Sequence, residues 1–509
     1  MSLFSNPEIL RNARIQLRPR KLLIAAGICA ALSLAIGYAF AYSPDGLAGS
    51  DGNSFFQTIL ILQAIVLVIG GGLACLHGVQ REKDQSTYDF QRLTRLSPFE
   101  LSLGKLFGPP LLALFIFLCF MPAAVVGAVA AHTPPTIFLA AYGLLILGSI
   151  VYDAFALAMS LFLRRGTVTW AIIGFLAIVG GTSSGFGYTL GVISPFGSIP
   201  LIRRHDWSLP LSGSWVQSNP AVGFRDLFLG FPVHHALVLF ILYLTLLAWF
   251  IPAIARNIKR DPANYELYTP PQALGFLCYL NFIVFAFCQW QPLGSYAERH
   301  PVSIPPLDVQ SFLLAMNIIL FFIFGFILLR NRNQVRRLLH SGAAGHLETW
   351  PAPYLFLGAL IVGVAMILVI QWKRDPSLEW SLPVAIFRVT YFAFWLICDF
   401  LFLQWTKIQR GGHSLVMGVL YLGVYYACAI TIVASLHAEH NPFTAIFLPT
   451  PLFVLDTAAW SAHLGVWILA LILQIAAGVA FVVLQRRTLA NLQPHVSSIS
   501  MNAPASASL

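Results

Sequence analysis

Long, uncharged apolar blocks constrain this chain more than any other feature. Leu22–Tyr42 and Phe55–Leu76 each run for more than twenty residues without a charged side chain. A bilayer core of about 30 Å needs about 20 residues of helix, and a helix satisfies its own backbone polar groups. A transmembrane barrel would show short alternating segments instead. The blocks predict an all-α, polytopic integral membrane protein with about twelve transmembrane helices. The spans are expected near 22–42, 55–77, 106–131, 137–163, 168–193, 233–255, 274–289, 311–329, 352–371, 382–403, 415–436 and 464–484. The first block follows Arg11, Arg14, Arg18, Arg20 and Lys21, and Ala39-Phe40-Ala41 looks like a cleavage site. Its apolar run exceeds that of a signal peptide, so an uncleaved span is expected.

Only 10% of residues are charged and 58% are hydrophobic. A soluble domain is about 25% charged, so the composition excludes an ordinary soluble enzyme and a disordered chain. The net charge of +10 is thin for nucleic acid, and no nucleic-acid partner is expected. Its distribution matters more. With alternating topology, 23 Lys/Arg fall on one side of the membrane and 7 on the other. The richer side is read as cytoplasmic, with both termini inside. All seven cysteines fall inside spans, in neither a disulfide framework nor a zinc pattern. No cofactor or metal is expected. His234-His235 and His437-x-x-His440 lack nearby carboxylates and read as interface histidines. Arg203, Arg204, His205, Asp206 and Trp207 read as a solvated outer loop with an aromatic anchor.

The chain reads as two halves. Asp153 and Asp399 are acids inside spans, 246 residues apart. Ser194-Pro195-Phe196 and Asn441-Pro442-Phe443 match at an offset of 247, and Arg81–Gln85 matches Arg330–Gln334 at 249. Six spans per half is an even number, which predicts parallel repeats about an axis along the membrane normal. The expected organisation is a six-helix unit over 1–262, a second, divergent six-helix unit over 263–490, and a Ser/Ala-rich disordered tail over 491–509. Near mid-bilayer a charge costs at least about 2.5–3.5 kcal/mol. Two readings of Asp153 and Asp399 stand side by side: hydrogen-bonded packing devices, or parts of a polar or proton path.

The stretch Arg81–Lys105, between the second and third spans, is polar at first and then amphipathic. Phe90, Leu93 and Leu96 stand three apart, which places them on one helical face. Ser97-Pro98-Phe99-Glu100 is a capping box with Pro at the first helical position. It restarts a helix able to run straight into the third span. The physical reading is a short interfacial helix and a sharp joint, a handle that transmits a push to the third span. A plain solvated segment that only holds orientation is the blander reading.

This stretch resembles the permease subunit of ABC transporters of the ABC-2 type. That family carries Glu-Lys, Thr, Thr-x-Leu-Ser, Glu and Gly-Lys at matching spacing, filled here by Glu82, Lys83, Thr87, Thr94, Leu96, Ser97, Glu100, Gly104 and Lys105. Ser86 departs from it, because the family usually has Gly before the Thr. Asn6–Arg11 with Arg14, Leu17 and Arg18 resembles the family's amphipathic elbow, and Arg256–Asp261 the end of its sixth span. The resemblance covers roughly residues 6–262. It implies a bacterial inner-membrane permease, an exporter, with re-entrant helices between spans five and six. It also implies a coupling helix that docks on a separate ABC ATPase, with Glu82, Lys83, Thr87, Phe90, Leu93, Ser97, Glu100 and Lys105 as coupling residues. The chain has no Gly-x-x-x-x-Gly-Lys-[Ser/Thr] phosphate cradle, so it is not expected to be an enzyme itself. Membrane lipids are expected partners, and the transporter is completed by a homodimer or an intramolecular pseudo-dimer.

The matching loop of the second half, Arg330 to Trp350, is Arg-rich and lacks the capping box and Gly-Lys. It reads either as a degenerate coupling element or as a lipid-facing basic patch. Two rivals remain for the whole chain. One is an ion-coupled secondary transporter using Asp153 and Asp399. The other is an integral membrane enzyme acting on lipids, for which Asp375 with Glu379, or Asp206 with Asp226, are weak candidates.

Overall fold

The computed structural model describes residues 6–42, 50–162, 225–228, 231–260, 265–288, 306–340, 351–372, 382–409, 414–435 and 464–490. Apart from one antiparallel ribbon, the described elements are helices. The chain divides into two compact units between Leu267 and Tyr268. Eleven of the twelve expected spans overlap described helices; the fifth, the tail over 491–509, and the loops around Arg203 and His437 lie outside the described residues. Among the described residues six stretches are long and apolar enough to cross a membrane: Pro19–Ala41, Ser54–Asp84, Leu111–Ala130, Pro135–Phe162, Ala236–Ile258 and Ile468–Ala490. This is the architecture of an α-helical, multi-pass membrane protein.

Unit 1 begins with α1 (Pro7–Gln16), whose N-cap Asn6 accepts a hydrogen bond from the Glu8 amide at 3.0 Å. Next come α2 (Pro19–Ala41), α3 (Ser50–Ala64) and α4 (Gly71–Asp84), with a π-helical turn at Ile65–Gly70 between the last two. Then follow α5 (Thr87–Arg92), α6 (Pro98–Phe107), α7 (Leu111–Ala130) and α8 (Pro135–Phe162). The ribbon β1 (Arg225–Phe228) and β2 (Phe231–His234) pairs Arg225 with His234 and Phe228 with Phe231, and leads into α9 (His235–Ile258).

The core of unit 1 packs α3, α7 and α8 around Phe56, Ile59, Leu60, Phe117 and Leu145. One polar knot sits inside it. Gln63 donates to the Phe117 carbonyl at 3.1 Å and accepts from the Tyr142 hydroxyl at 2.5 Å. Helix α4 packs along α8 because Gly71 and Gly72 bring no side chain; a Cβ on Gly71 would lie 2.9 Å from Asp153 Oδ1.

Unit 2 contains α10 (Pro270–Cys288), α11 (Pro306–Leu328), α12 (Arg332–His340) and α13 (Pro351–Trp372). It ends with α14 (Leu382–Ile408), α15 (Ser414–Ser435) and α16 (Leu464–Ala490). Its buried centre includes Phe321, Phe324 and Phe400, with the Phe321 and Phe400 ring centroids 5.1 Å apart.

Two local expectations are corrected. Helix α5 ends at Arg92, so Phe90, Leu93 and Leu96 do not share one helical face; Leu93 is the C-cap and Leu96 lies beyond it. The capped helix does not run into the third span. It stops at Phe107, because Pro109 and Pro110 supply no amide to continue the ladder. Most of the loop 194–232, where re-entrant helices are expected, lies outside the described residues; its described residues 225–228 and 231–232 are extended. The β-formers Phe228 and Phe231 favour strands, and Pro232 lacks the amide a helix would use.

Candidate functional site

The segment from α4 to α6 is where the structure concentrates polar chemistry in unit 1. The continuous helix Ser54–Asp84 has 31 residues, about 46 Å at 1.5 Å each, against a bilayer core of about 30 Å. Its last turns therefore project beyond the apolar zone. The chain then reverses through Ser86, which holds a left-handed backbone at φ 57°. A left-handed residue strongly favours Gly, and this is the position where the resembled family has Gly.

Behind this turn lies an ionic knot of two acids and two bases. The Lys105 ammonium contacts the carboxylates of Glu82 and, at 3.4 Å, Glu8. Arg11 reaches Glu8 at 2.7 Å and Glu82 at 2.6 Å. Gln91 completes the shell by donating to Glu82 at 2.9 Å. The Lys105 side chain is 3% exposed, so its charge is tolerable only because the two carboxylates sit on it. Gly104 makes the crossing of α1 over α6 possible, since a Cβ there would lie 2.7 Å from Glu8 Cβ. Asn6 ties the same crossing by donating to the Glu100 carbonyl at 2.7 Å.

A second set of contacts fastens the loop to α8 and α9. Lys83 donates to the Ser160 and Leu161 carbonyls at 2.9 Å, at the C-terminus of α8, where a cation is favoured. The Tyr88 hydroxyl donates to the Ile258 carbonyl at 2.7 Å, and Tyr265 donates to Tyr88 at 3.2 Å. Burial pushes the Tyr88 phenol far above its ordinary value, so it stays a neutral donor. Arg92 donates to the Lys259 carbonyl at 3.2 Å, and Lys259 returns a bond to the Thr94 carbonyl at 2.8 Å.

The predicted coupling residues thus separate into two groups. Glu82, Lys83 and Lys105 are internal braces, and Thr87 ties the turn by donating to the Glu82 carbonyl at 3.3 Å. Ser97 and Glu100 form the capping box in both directions, at 3.2 and 2.9 Å. The Ser97 amide and hydroxyl hold the Glu100 carboxyl below its ordinary value. Phe90 and Leu93, by contrast, point outward at 77% and 86% exposure, with Phe99 also exposed nearby. The backbone here is braced from within while these apolar side chains stand exposed. Glu8 and Arg11 were read from sequence only as part of the elbow and Lys259 only as part of the end of the sixth span, and Tyr88 and Gln91 were not singled out. The Asn6-Pro7-Glu8 helix start was a readable signal for Glu8; the others depend on long-range contacts.

The intramembrane acids sit one in each unit. Asp153, 4% exposed, lies on α8 against Gly71, just past the π turn; its Oδ1 has no hydrogen-bond partner among the described residues. Asp399, 8% exposed, accepts from Tyr426 at 2.8 Å, and Tyr426 accepts from the Trp395 indole at 2.7 Å.

No protein-family model, curated protein or solved structure matches this chain.

Proposed function

We propose that this chain is the membrane-spanning permease subunit of an ATP-driven ABC transporter of the ABC-2 type, an exporter. It would have twelve spans in two six-helix halves and sit in a bacterial inner membrane with both termini cytoplasmic. The observation that carries the reading is the outward pair of Phe90, on a six-residue helix, and Leu93, its C-cap, beside the Glu82–Lys105–Glu8–Arg11 knot to which Gln91 ties that helix. A push on α5 moves α4, α6 and the ends of α8 and α9 together, because each is tied to the loop by charge or hydrogen bond. ATP would be hydrolysed by a separate ABC ATPase seated on α5, and a homodimer or the two halves together would form the passage. Co-expression with an ABC ATPase from the same genome tests it. The ATPase co-purifies with the wild-type chain, and Phe90→Glu with Leu93→Glu abolishes co-purification while leaving the chain folded. Retention of the ATPase by that double variant sinks the proposal.

Asp153 favours a second reading. A buried carboxyl oxygen without a partner, beside a π turn and Gly71, suits an ion-coupled transporter in which Asp153 and Asp399 exchange a cation or proton. Transport that persists without any ATPase and disappears in the double Asn variant would favour it over the first.

A further inference from the structure

The two prolines that stop α6 leave two carbonyls short of donors inside unit 1. In a continuing helix the Lys105 carbonyl would accept from residue 109 and the Leu106 carbonyl from residue 110, but Pro109 and Pro110 have no amide. No other backbone amide among the described residues reaches either oxygen. Their donor is the Cys75 thiol of α4, at 3.8 and 3.5 Å, and a thiol is a weak donor. Cys75, Lys105 and Leu106 are all buried.

Asp153 of α8 approaches the same face of α4. Its carboxyl lies against Gly71, four residues before Cys75, and residues four apart on a helix are neighbours about 5–6 Å apart. The Asp153 and Cys75 side chains interact electrostatically. Asp153 is buried, and its Oδ1 has no hydrogen-bond partner among the described residues. The neighbourhood is therefore rich in acceptors, and its two carbonyls stand in the last turn of α6, the electronegative end of that helix. A carboxylate there would add an unpaired anion to buried acceptors. The cations on the neighbouring helices are engaged elsewhere: Lys105 with Glu82 and Glu8, Lys83 with the Ser160 and Leu161 carbonyls, and Arg256 with Glu266, while Arg81 is exposed. Cys75, Tyr152 and, on α9, Tyr243 are weak acids and bring no positive charge. A proton on Asp153 cancels the charge and turns one acceptor into a donor. A metal ion would need several oxygen ligands with room around them. A Cβ at Gly71 would already crowd the carboxyl, and no group of three His, Cys, Asp or Glu able to hold a metal occurs among the described residues.

We propose that Asp153 is a proton-binding site, its carboxyl protonated at neutral pH while α6 is seated as here, with Cys75 and the carbonyls of Lys105 and Leu106 as its acceptor-rich wall. Emptying the site passes the proton to water and leaves a carboxylate. Lys105 also holds the ionic knot through its side chain, so a shift of α6 moves the knot and this wall together. The inference deepens the ion-coupled reading of Asp153 by naming the ion; it rests on that reading for any part in transport, and on geometry for the proton itself.

The test is infrared difference spectroscopy of the full chain in phosphatidylcholine nanodiscs, between neutral and alkaline buffer. Wild type shows a protonated-carboxyl stretch at neutral pH that gives way to carboxylate bands on alkalinisation. Asp153→Asn, which keeps the side-chain shape, removes one such component, and Asp399→Asn keeps that component. Pro109→Ala with Pro110→Ala returns an amide to each carbonyl, and the proton then leaves about one pH unit lower, a roughly tenfold weaker hold. A wild-type spectrum that Asp153→Asn does not alter at neutral pH overturns the proposal without recourse to the proline variant. A folded proline variant that loses its proton at the wild-type pH overturns the part given to α6. Asp153 ionised at neutral pH, with carboxylate bands that move when sodium replaces choline in the buffer, overturns the proton and leaves the ion-coupled reading with a metal cation. Asp153 ionised and indifferent to both overturns the inference and that reading together. Transport that ignores a proton gradient while the Asp153 component persists ends the ion-coupled reading alone.

Discussion

Lys105 shows how much a single side chain can hold. Its ammonium is buried against Glu82 and Glu8, and Arg11 closes the same knot from α1. Lys105→Met leaves two carboxylates sharing one half-exposed cation, and breaking a buried pair in this way costs about 3–5 kcal/mol. Chemical unfolding of the detergent-solubilised chain should show that loss. Ser86 is the opposite case, a residue at odds with its backbone. The left-handed conformation costs a side chain about 1–2 kcal/mol, and Gly gives back about 0.5–1 kcal/mol in chain entropy. Ser86→Gly should therefore leave stability unchanged or raise it by up to about 1.5 kcal/mol, whereas the β-branched Ser86→Ile should lower it; thermal unfolding of the pair checks both. Glu100 supplies the pH dependence. Its folded carboxyl is held below the ordinary value by Ser97, so the capping contribution is complete above the ordinary Glu range. It disappears as pH falls through the lowered value. Hydrogen exchange in the first turn of α6 should quicken on acidification, and Ser97→Ala should remove that pH response.

At the scale of elements, each unit closes its second and fourth spans with the same device, used in opposite senses. In unit 1, Lys83 at the end of α4 donates to Ser160 at the end of α8. In unit 2, Lys407 at the end of α14 donates to Leu329 just past α11, at 2.8 Å. Donor and acceptor have exchanged helices, at offsets of 247 (160 to 407) and 246 (83 to 329). Those offsets agree with the 246 residues between Asp153 and Asp399. An internal repeat would give offsets of this size. The elements also explain which side chains α5 would present under the proposed role. Tyr88 and Gln91, one turn apart, face inward, so Phe90 and the C-cap Leu93 are left outward. Replacing Tyr88 by Phe removes the bond to Ile258 without touching the outward pair. ATPase binding should survive while its coupling to transport weakens, measured as a lower ratio of substrate moved to ATP hydrolysed.

For the whole molecule, the proposed orientation makes a simple demand. In a background with the native cysteines replaced, a membrane-impermeant thiol reagent added outside cells should label Thr133→Cys, in the turn between α7 and α8. Leu93→Cys should be labelled only after the membrane is opened. The reverse pattern would invert the topology. Asp153→Asn with Asp399→Asn keeps the shape of both side chains while removing the charge. Folding should hold in both units; unchanged transport would leave the acids as packing devices.

The class and six of the expected spans were legible because burial in lipid demands apolar residues along a whole helix, and a run of twenty such residues needs no tertiary partner to be recognised. The capping box at Ser97 and the N-cap at Asn6 were legible for a similar reason, since their donors and acceptors lie within three residues of each other. What the tertiary structure alone decided is the role of each charge in the loop. Glu82, Lys83 and Lys105 look in sequence like a solvated polar stretch. Only the arrival of Glu8, Arg11, Gln91 and the carbonyls of α8 turns them into internal braces. Those partners come from 9 to 97 residues away along the chain, and a one-dimensional pattern carries no distance between them. A charge can stay in the chain at low cost anywhere that water reaches, but beneath a packed crossing it persists only with its partners in place.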